Sequence, residues 1–276
     1  MRNLNIVITR FNESNQLVAD CLKSLFNQKN QKIRIIYLEQ TKSDFAQFFY
    51  KKNSNSNIDF LYKKIDPISL SYARDLGIKL SDSKIIAFTD IDAIPYPNWA
   101  EEIVNSFNRN KDIAIVGGKS IAKWPKKEKW YHKSKIVLEL YSMVDILNQE
   151  GEVEKVVGVN FAINKEILKD EATFNLKLGR RSGDFSGGEE TDLCLRAKLR
   201  GYKIIYNPHA IVLHQVSEDR MSFWWIIKRM YYGGISRSKR GGRPKTFTKK
   251  RNFYDKIILP VLITPYLLGF LKAKIK

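Results

Sequence analysis

Two carboxylates, Asp90 and Asp92, follow the apolar run Ile85-Ile86-Ala87-Phe88 with one isoleucine between them. In an extended segment alternate side chains point the same way, so both acids face one side and Ile91 turns to the core. Paired carboxylates repel unless a cation lies between them. Mg²⁺ and Mn²⁺ suit such oxygen donors and commonly complete their shells with substrate phosphates. A second set of acids, Glu189, Glu190 and Asp192, opens a helical pattern after Gly187-Gly188. The positive end of that helix is expected to lower their pKa values. A carboxylate beside a substrate hydroxyl can act as a general base. The run from Pro208 ends at His214, an imidazole suited to binding a metal. Singly, each fragment has an ordinary explanation: an acidic turn, an acidic helix cap, a structural histidine.

The elements that would position these groups are a series of strands and helices. Leu4–Thr9, Ile33–Leu38, Ile58–Tyr62 and Ile85–Phe88 read as strands. Helical spacing fills the intervals through Leu17 to Phe26, Asp44 to Tyr50 and Ser71 to Leu80. This alternation predicts an α/β fold with a parallel sheet, whose ligands gather beyond the carboxyl ends of the strands. Further strands are expected at Ile113–Gly118, Val156–Ile163, Lys203–Tyr206 and Ile211–Leu213, and a helix from Glu190 to Arg200. The basic, aromatic stretch Lys119–Lys133 reads as a loop over the acceptor side, and 135–148 as a helix or an irregular cover. The glycine-rich stretch Gly179–Asp184 reads as a loop that orders over the site.

The 276 residues carry a formal charge of +19. Between Ser217 and Lys276 there are 15 Lys/Arg against 3 Asp/Glu, so most of the excess lies in the last fifth. Two cysteines, Cys21 and Cys194, give neither a disulfide framework nor zinc spacing and suit a reducing compartment. The N-terminus enters a strand directly, so no signal peptide is expected. A nucleic-acid partner is not expected, because no such module accompanies the charge. The domain is read as 1–216 and the remainder, 217–276, as a membrane-associating tail. In that tail Phe223–Tyr232 interleaves aromatic and basic residues, which suits the headgroup level of an anionic membrane. Ile257–Phe270 is apolar but short for a span, and Pro260 and Pro265 disfavour a straight helix, so shallow insertion is expected. The competing arrangement is a helical hairpin packed on the domain.

In order and spacing these segments resemble the family-2 glycosyltransferases of GT-A fold, over about Leu4 to Gln215. Arg10-Phe11-Asn12-Glu13 is similar to the family's opening nucleotide loop, and Tyr72–Gly77 to its A-R-N-x-G segment with Asp75 in place of Asn. Asp90-Ile91-Asp92 matches the D-x-D motif, and Gly188–Leu193 the G-E-D/E-x-D-L segment. Gly201-Tyr202, Pro208 and His214 match its end. The resemblance implies a GT-A sheet with helices on both faces; the basic and apolar C-terminal tail, read as helical, lies beyond it. It implies transfer of a sugar from a nucleotide-diphosphate donor to an acceptor hydroxyl, with Mn²⁺ or Mg²⁺ and inversion. Asp92 and His214 would hold the metal, and Asp90 would reach the ribose or donor sugar. Thr9, Arg10, Glu13, Glu39 and Arg74 would line the donor pocket. Glu190 stands at the base position with Glu189 assisting, and the choice among Glu189, Glu190 and Asp192 stays open. Polymerising relatives carry several long spans, so addition of one or a few sugars is expected. A lipid-linked or cell-surface glycan acceptor at the cytoplasmic face of the membrane fits the tail. A homo-oligomer is left open, and a non-catalytic binding subunit is the rival reading.

Overall fold

The computed structural model describes residues 4–29, 31–53, 57–66, 69–180, 185, 187–242 and 251–275. Among them, nine strands form one sheet: β1 (Leu4–Arg10), β2 (Ile33–Glu39), β3 (Ile58–Lys64), β4 (Ile85–Thr89), β5 (Ala93–Pro95), β6 (Ile113–Lys123), β7 (Gly151–Glu152), β8 (Asn160–Asn164) and β9 (Lys203–Gln215). The order is β3-β2-β1-β4-β8-β6-β9-β5, with β7 against β9. The α-helices are α1 (Asn15–Phe26), α2 (Phe45–Asn53), α3 (Leu70–Leu80), α4 (Trp99–Arg109), α5 (Lys135–Leu140), α6 (Lys165–Leu168), α7 (Glu189–Leu199), α8 (Phe223–Lys239) and α9 (Phe253–Ile275).

The first four strands are parallel, as their alternation with helices predicts. The sheet as a whole is mixed, because β8 lies antiparallel between β4 and β6. Period-2 alternation splits β1 between two cores. Leu4, Ile6 and Ile8 pack under α1 and α4, while Val7 joins the core beneath α3 and α7. Helices therefore cover both faces. Asn160 is fully buried at the start of β8. Its amide donates to the carbonyls of Lys119 and Ala210 and accepts from the Trp99 indole, all at 2.8 Å. These bonds hold β6 and β9 together where their register shifts between Gly118 and Lys119.

That shift explains two departures from the sequence reading. β9 is one strand, not two, because the irregularity accommodates Pro208, which cannot donate to a regular ladder. β6 continues to Lys123 through what reads as a loop, since β9 offers it a partner as far as Gln215. The strand expected from Val156 begins only at Asn160.

The C-terminal region packs on the rest of the protein. Ile226 and Met230 of α8 and Ile258 and Leu262 of α9 join Tyr131, Ile136 and Tyr141 in a third core. α8 and α9 cross closely at two glycines. A Cβ on Gly234 would lie 2.0 Å from the Tyr266 carbonyl, and one on Gly269 would lie 2.0 Å from that of Tyr231. Asp255 is fully buried and accepts from the Ser134 hydroxyl (2.6 Å) and the Ile136 amide (3.1 Å), which ties α9 to the start of α5. α9 runs as one helix through Pro260 and Pro265, contrary to the expected interruption. Packing against α8 outweighs the lost backbone bonds. At 23 residues and apolar composition it is long enough to cross a membrane. Its outer face exposes Ile257, Val261, Leu268, Leu271 and Ile275.

Candidate active site

The site opens beyond the end of β4. Ile91 is buried as expected, and Asp90 and Asp92 turn toward the cleft with side chains 33 % and 13 % exposed. Directly after Asp92 the chain enters β5, which pairs antiparallel with β9 in the register Ala93↔His214. That pairing brings Nε2 of His214 to 3.2 Å from Oδ1 of Asp92. The other ring nitrogen, Nδ1, lies 2.8 Å from the Tyr141 carbonyl oxygen. A carbonyl only accepts, so Nδ1 carries a proton and Nε2 is the atom offered to the cleft. Arg220 reaches the second oxygen of Asp92 at 3.2 Å.

These contacts set opposite titrations on the two aspartates. Burial alone would raise Asp92, yet His214 and Arg220 hold it far below the usual carboxylate range. Burial raises Asp90, and the negative charge on Asp92 adds to this against Arg74. His214 is raised, because the attraction of Asp92 outweighs a burial that by itself would lower it.

Asp92 and His214 fit a divalent ion. Their facing atoms, 3.2 Å apart, have about the spacing of adjacent ligands in an octahedral shell with bonds of about 2.1 Å. Among the described residues no group of three or more His, Cys, Asp or Glu could hold one ion. Asp92 and His214 are the residues that would hold such an ion.

Arg74, on α3, joins this edge of the site to the acids of α7. It is 3 % exposed. Its guanidinium donates to Glu189 (2.9 Å), Asp90 (3.0 Å) and the Gly158 carbonyl (2.9 Å). Asp75, the neighbour that departs from the family pattern, holds Thr173 and the Phe174 amide instead. α7 is capped by Gly188, whose φ of +100° lies in the left-handed region that favours glycine. The geometry narrows the choice of base. Glu189 is ion-paired to Arg74, Asp192 to Arg196 at 3.0 Å, and Glu190 forms no ion pair among the described residues. Burial, then the charge of Glu189, push Glu190 up to about 7. The lowering expected from the helix N-terminus is reversed at this position.

The expected donor pocket is brought together at the ends of β1 and β2, with its polar groups largely bonded to one another. Arg10 spans the Glu13 carbonyl, the Asn15 side chain and Glu39. Glu39 is fully buried between Arg10 and Thr41. Glu13 accepts from the amides of Phe11 and Asn12. Burial raises it despite these bonds, and the charge on Asp92 adds to the rise. Thr9 is half-buried on β1. A cavity of about 450 Å³ lies between this turn and Asp92, walled by Glu13, Lys123, Trp124 and Arg220. Trp124 stacks on His132 and meets Tyr141 edge-on, whereas Trp130 is exposed. Of Gly179–Asp184, residues 181–184 lie outside the described residues.

Sequence reasoning missed the arginines of the C-terminal region. Arg220 follows His214 by six residues and carries no motif. Arg229 and Arg240 lie in and just beyond α8 and bond the carbonyls of Phe185 and Gly187. Only the density of basic residues there was a signal.

A parallel half-sheet joined to a mixed one, with paired acids at the strand ends facing a helix-borne carboxylate, defines the GT-A class of fold. The sequence profile of glycosyl transferase family 2 matches residues 5–171, and the chain belongs to that family. The glucosyl-dolichyl phosphate glucuronosyltransferase of Haloferax volcanii is 26% identical over 175 residues, covering 61% of this chain and 54% of that protein. The succinoglycan biosynthesis protein ExoM of Rhizobium meliloti is 25% identical over 181 residues, covering 64% and 54%. The chain thus spans about half the length of these curated relatives. Among solved structures, a Pyrobaculum calidifontis mannosyltransferase in complex with GDP-Man and Mn2+ has a TM-score of 0.65 at 14% identity, covering 99% of this chain and 73% of that one. GalNAc-T7 with UDP, GalNAc and Mn2+ has a TM-score of 0.60 at 13% identity, covering 97% and 58%. At these identities the likeness is one of fold.

Replacing Arg74 by Met leaves the buried Glu189 and the partly buried Asp90 without their counterion. Loss of one partner of a buried ion pair typically costs about 3–5 kcal/mol. The Arg74→Met protein is expected to unfold at a markedly lower urea midpoint than the parent, measured by far-UV circular dichroism.

Proposed function

We propose that this protein transfers a sugar from a nucleotide-diphosphate donor to an acceptor hydroxyl, with Mn²⁺ or Mg²⁺ held by Asp92 and His214 and with Glu190 as base. The observation that carries this reading is the bond of one buried arginine to both acid motifs. Arg74 fixes the distance between Asp90 and the turn that bears Glu190. A donor at the first and an acceptor at the second are then held within one reacting geometry. A bound divalent ion would supply Lewis-acid compensation for the charge on the leaving diphosphate. The chain's own residues do the rest. Arg10, Glu39 and Glu13 shape the turn against which the nucleotide lies. Asp90, oriented by Arg74, faces the ribose or donor sugar. Glu190 takes the acceptor proton, and one base in a single displacement gives inversion. The intact network of Arg74, Glu189 and Asp90 speaks against a non-catalytic binding subunit.

The acceptor is a lipid-linked or cell-surface glycan, and the protein sits at the cytoplasmic face of the membrane. The exposed apolar stripe of α9, with Lys272 and Lys274 at its end, suits an anionic membrane surface. The names of the two curated relatives, one acting on a glucosyl-dolichyl phosphate and one in succinoglycan synthesis, support that class of acceptor.

Donor turnover is tested by release of nucleoside diphosphate from a panel of nucleotide sugars. Release is expected with Mn²⁺ or Mg²⁺, to stop with chelator, and to be lost in Asp92→Ala. Full release in metal-free buffer refutes the assignment of Asp92.

Glu190 must be ionised to accept a proton. With this group raised to about 7, the transfer rate should climb with pH through that region and level off above it. Glu190→Gln should flatten the profile and lower the rate by about 10²- to 10⁴-fold. An unchanged profile in this variant moves the base elsewhere.

Membrane attachment is read by liposome flotation. The protein should float with anionic vesicles and partly release in high salt. The exposed-face variant Ile257→Glu/Leu268→Glu should stay at the bottom of the gradient and keep metal-dependent donor hydrolysis. Equal flotation of the two proteins removes α9 from the membrane contact.

A further inference from the structure

One face of α8 is laid along the segment that leads into Glu190. Residues Arg229, Tyr232, Ser236 and Arg240 follow one another at helical spacing on that face. Arg229 donates to the Phe185 carbonyl and Arg240 to that of Gly187 (3.3 Å). The Ser236 hydroxyl accepts from the Gly187 amide at 3.1 Å, and the Tyr232 ring meets that of Phe185 at 5.7 Å. Carbonyl contacts satisfy one N–H of each arginine and leave their charges unbalanced. Neither Arg229 nor Arg240 has a carboxylate ion-pair partner among the described residues. The Nε atoms of both are buried and without an acceptor.

The surrounding charges deepen the imbalance. Burial, then the neighbouring Arg180, lower Arg229 to about 10, with Arg220 acting in the same direction. The charges of Glu190 and Glu189 offset this on Arg229 only in part, and neither acid forms an ion pair with Arg229 or Arg240; Glu189 is bonded to Arg74 instead. Arg220 is engaged by Asp92 on the metal side of the cleft. Two guanidinium groups with spare N–H donors therefore flank the base, in a place that favours an anion. A phosphate presents the oxygen pair that the planar fork of arginine binds bidentately, and its charge suits two guanidinium groups at once.

We infer that Arg229 and Arg240 form a binding site for a phosphate ester carried by the acceptor, of the kind that joins a saccharide to a lipid. This rests on the functional reading above, in which Glu190 meets the acceptor hydroxyl. Groups on the segment running into Glu190 are on the acceptor side of the reaction. The same helix pair turns Trp224, Ile257, Val261 and Leu268 outward, so a phosphate at membrane level and its lipid find polar and apolar partners on one unit.

The donor also carries phosphates, and the test separates the two sources. The full-length protein with Mn²⁺ is titrated calorimetrically with geranyl monophosphate, with geraniol, and with UDP and GDP. Geranyl monophosphate is expected to bind and geraniol not. Arg229→Gln and Arg240→Gln should each weaken geranyl monophosphate by about tenfold or more, the scale of a lost charged hydrogen bond. Lysine at either position should recover part of the loss, and nucleoside diphosphate affinity should stay within about twofold of the parent. Where a Gln variant does not fold, its Lys counterpart keeps the charge but loses the fork and should still weaken geranyl monophosphate selectively. Unaltered affinity in the folded variants, or absence of binding by the parent, overturns the inference. A parallel loss of nucleoside diphosphate affinity assigns the arginines to the donor and overturns it too. Metal-dependent donor hydrolysis is measured on the same preparations. If it persists while geranyl monophosphate fails to bind, only this inference falls; if it is absent as well, the functional reading falls with it.

Discussion

A single guanidinium, buried at the junction of three elements, sets the distance between the two acid motifs. Arg74 comes from α3, Asp90 from the end of β4 and Glu189 from the start of α7. Burying a cation is costly unless its hydrogen bonds are satisfied in good geometry. Arg74 meets that demand with two carboxylates and the Gly158 carbonyl. The constraint runs both ways, because Asp90 and Glu189 share this one guanidinium as their ion-pair partner. α7 therefore cannot shift without disturbing the guanidinium that also holds Asp90.

The site then separates its acids by environment. Asp92 is kept ionised by His214 and Arg220, whereas Glu190 is raised toward neutrality by burial and by Glu189. Groups pushed apart in this way can divide their roles at one pH, one staying charged and the other exchanging a proton. Sequence spacing alone cannot produce that division. Glu189 and Glu190 are adjacent and identical in type, and only the neighbour of each distinguishes them.

Much of the architecture was legible because local pattern and tertiary packing agree. The apolar runs of β1, β2 and β4 and the helical spacing of α1 and α3 lie where the sequence places them, and Ile91 turns inward between its two acids. The resemblance to the family pointed to Asp90, Asp92, Glu190 and His214, and the contact between Asp92 and His214 depends on the β5–β9 pairing, which no local signal carries. The misses have long-range causes. β6 extends because β9 is there to pair with it, and β9 passes through Pro208 because Asn160 supports the irregularity from a third strand. α9 continues through two prolines because α8 packs against it at Gly234 and Gly269. Arg220, Arg229 and Arg240 had no motif to mark them; their roles exist only once the C-terminal helices fold back onto the site.

The clasp of α8 and Arg240 on Phe185 and Gly187 bears on how such proteins can be recombined. The family profile ends at residue 171, before Glu190, and the C-terminal helices look from sequence like an exchangeable anchor. They are not separable in that sense. A chimera joining the first 216 residues to a foreign anchor would retain Arg74 and the aspartates but lose the side chains that pin the approach to Glu190. Modularity in this architecture stops at this clasp: whatever replaces the tail must also rebuild the contacts to Phe185 and Gly187.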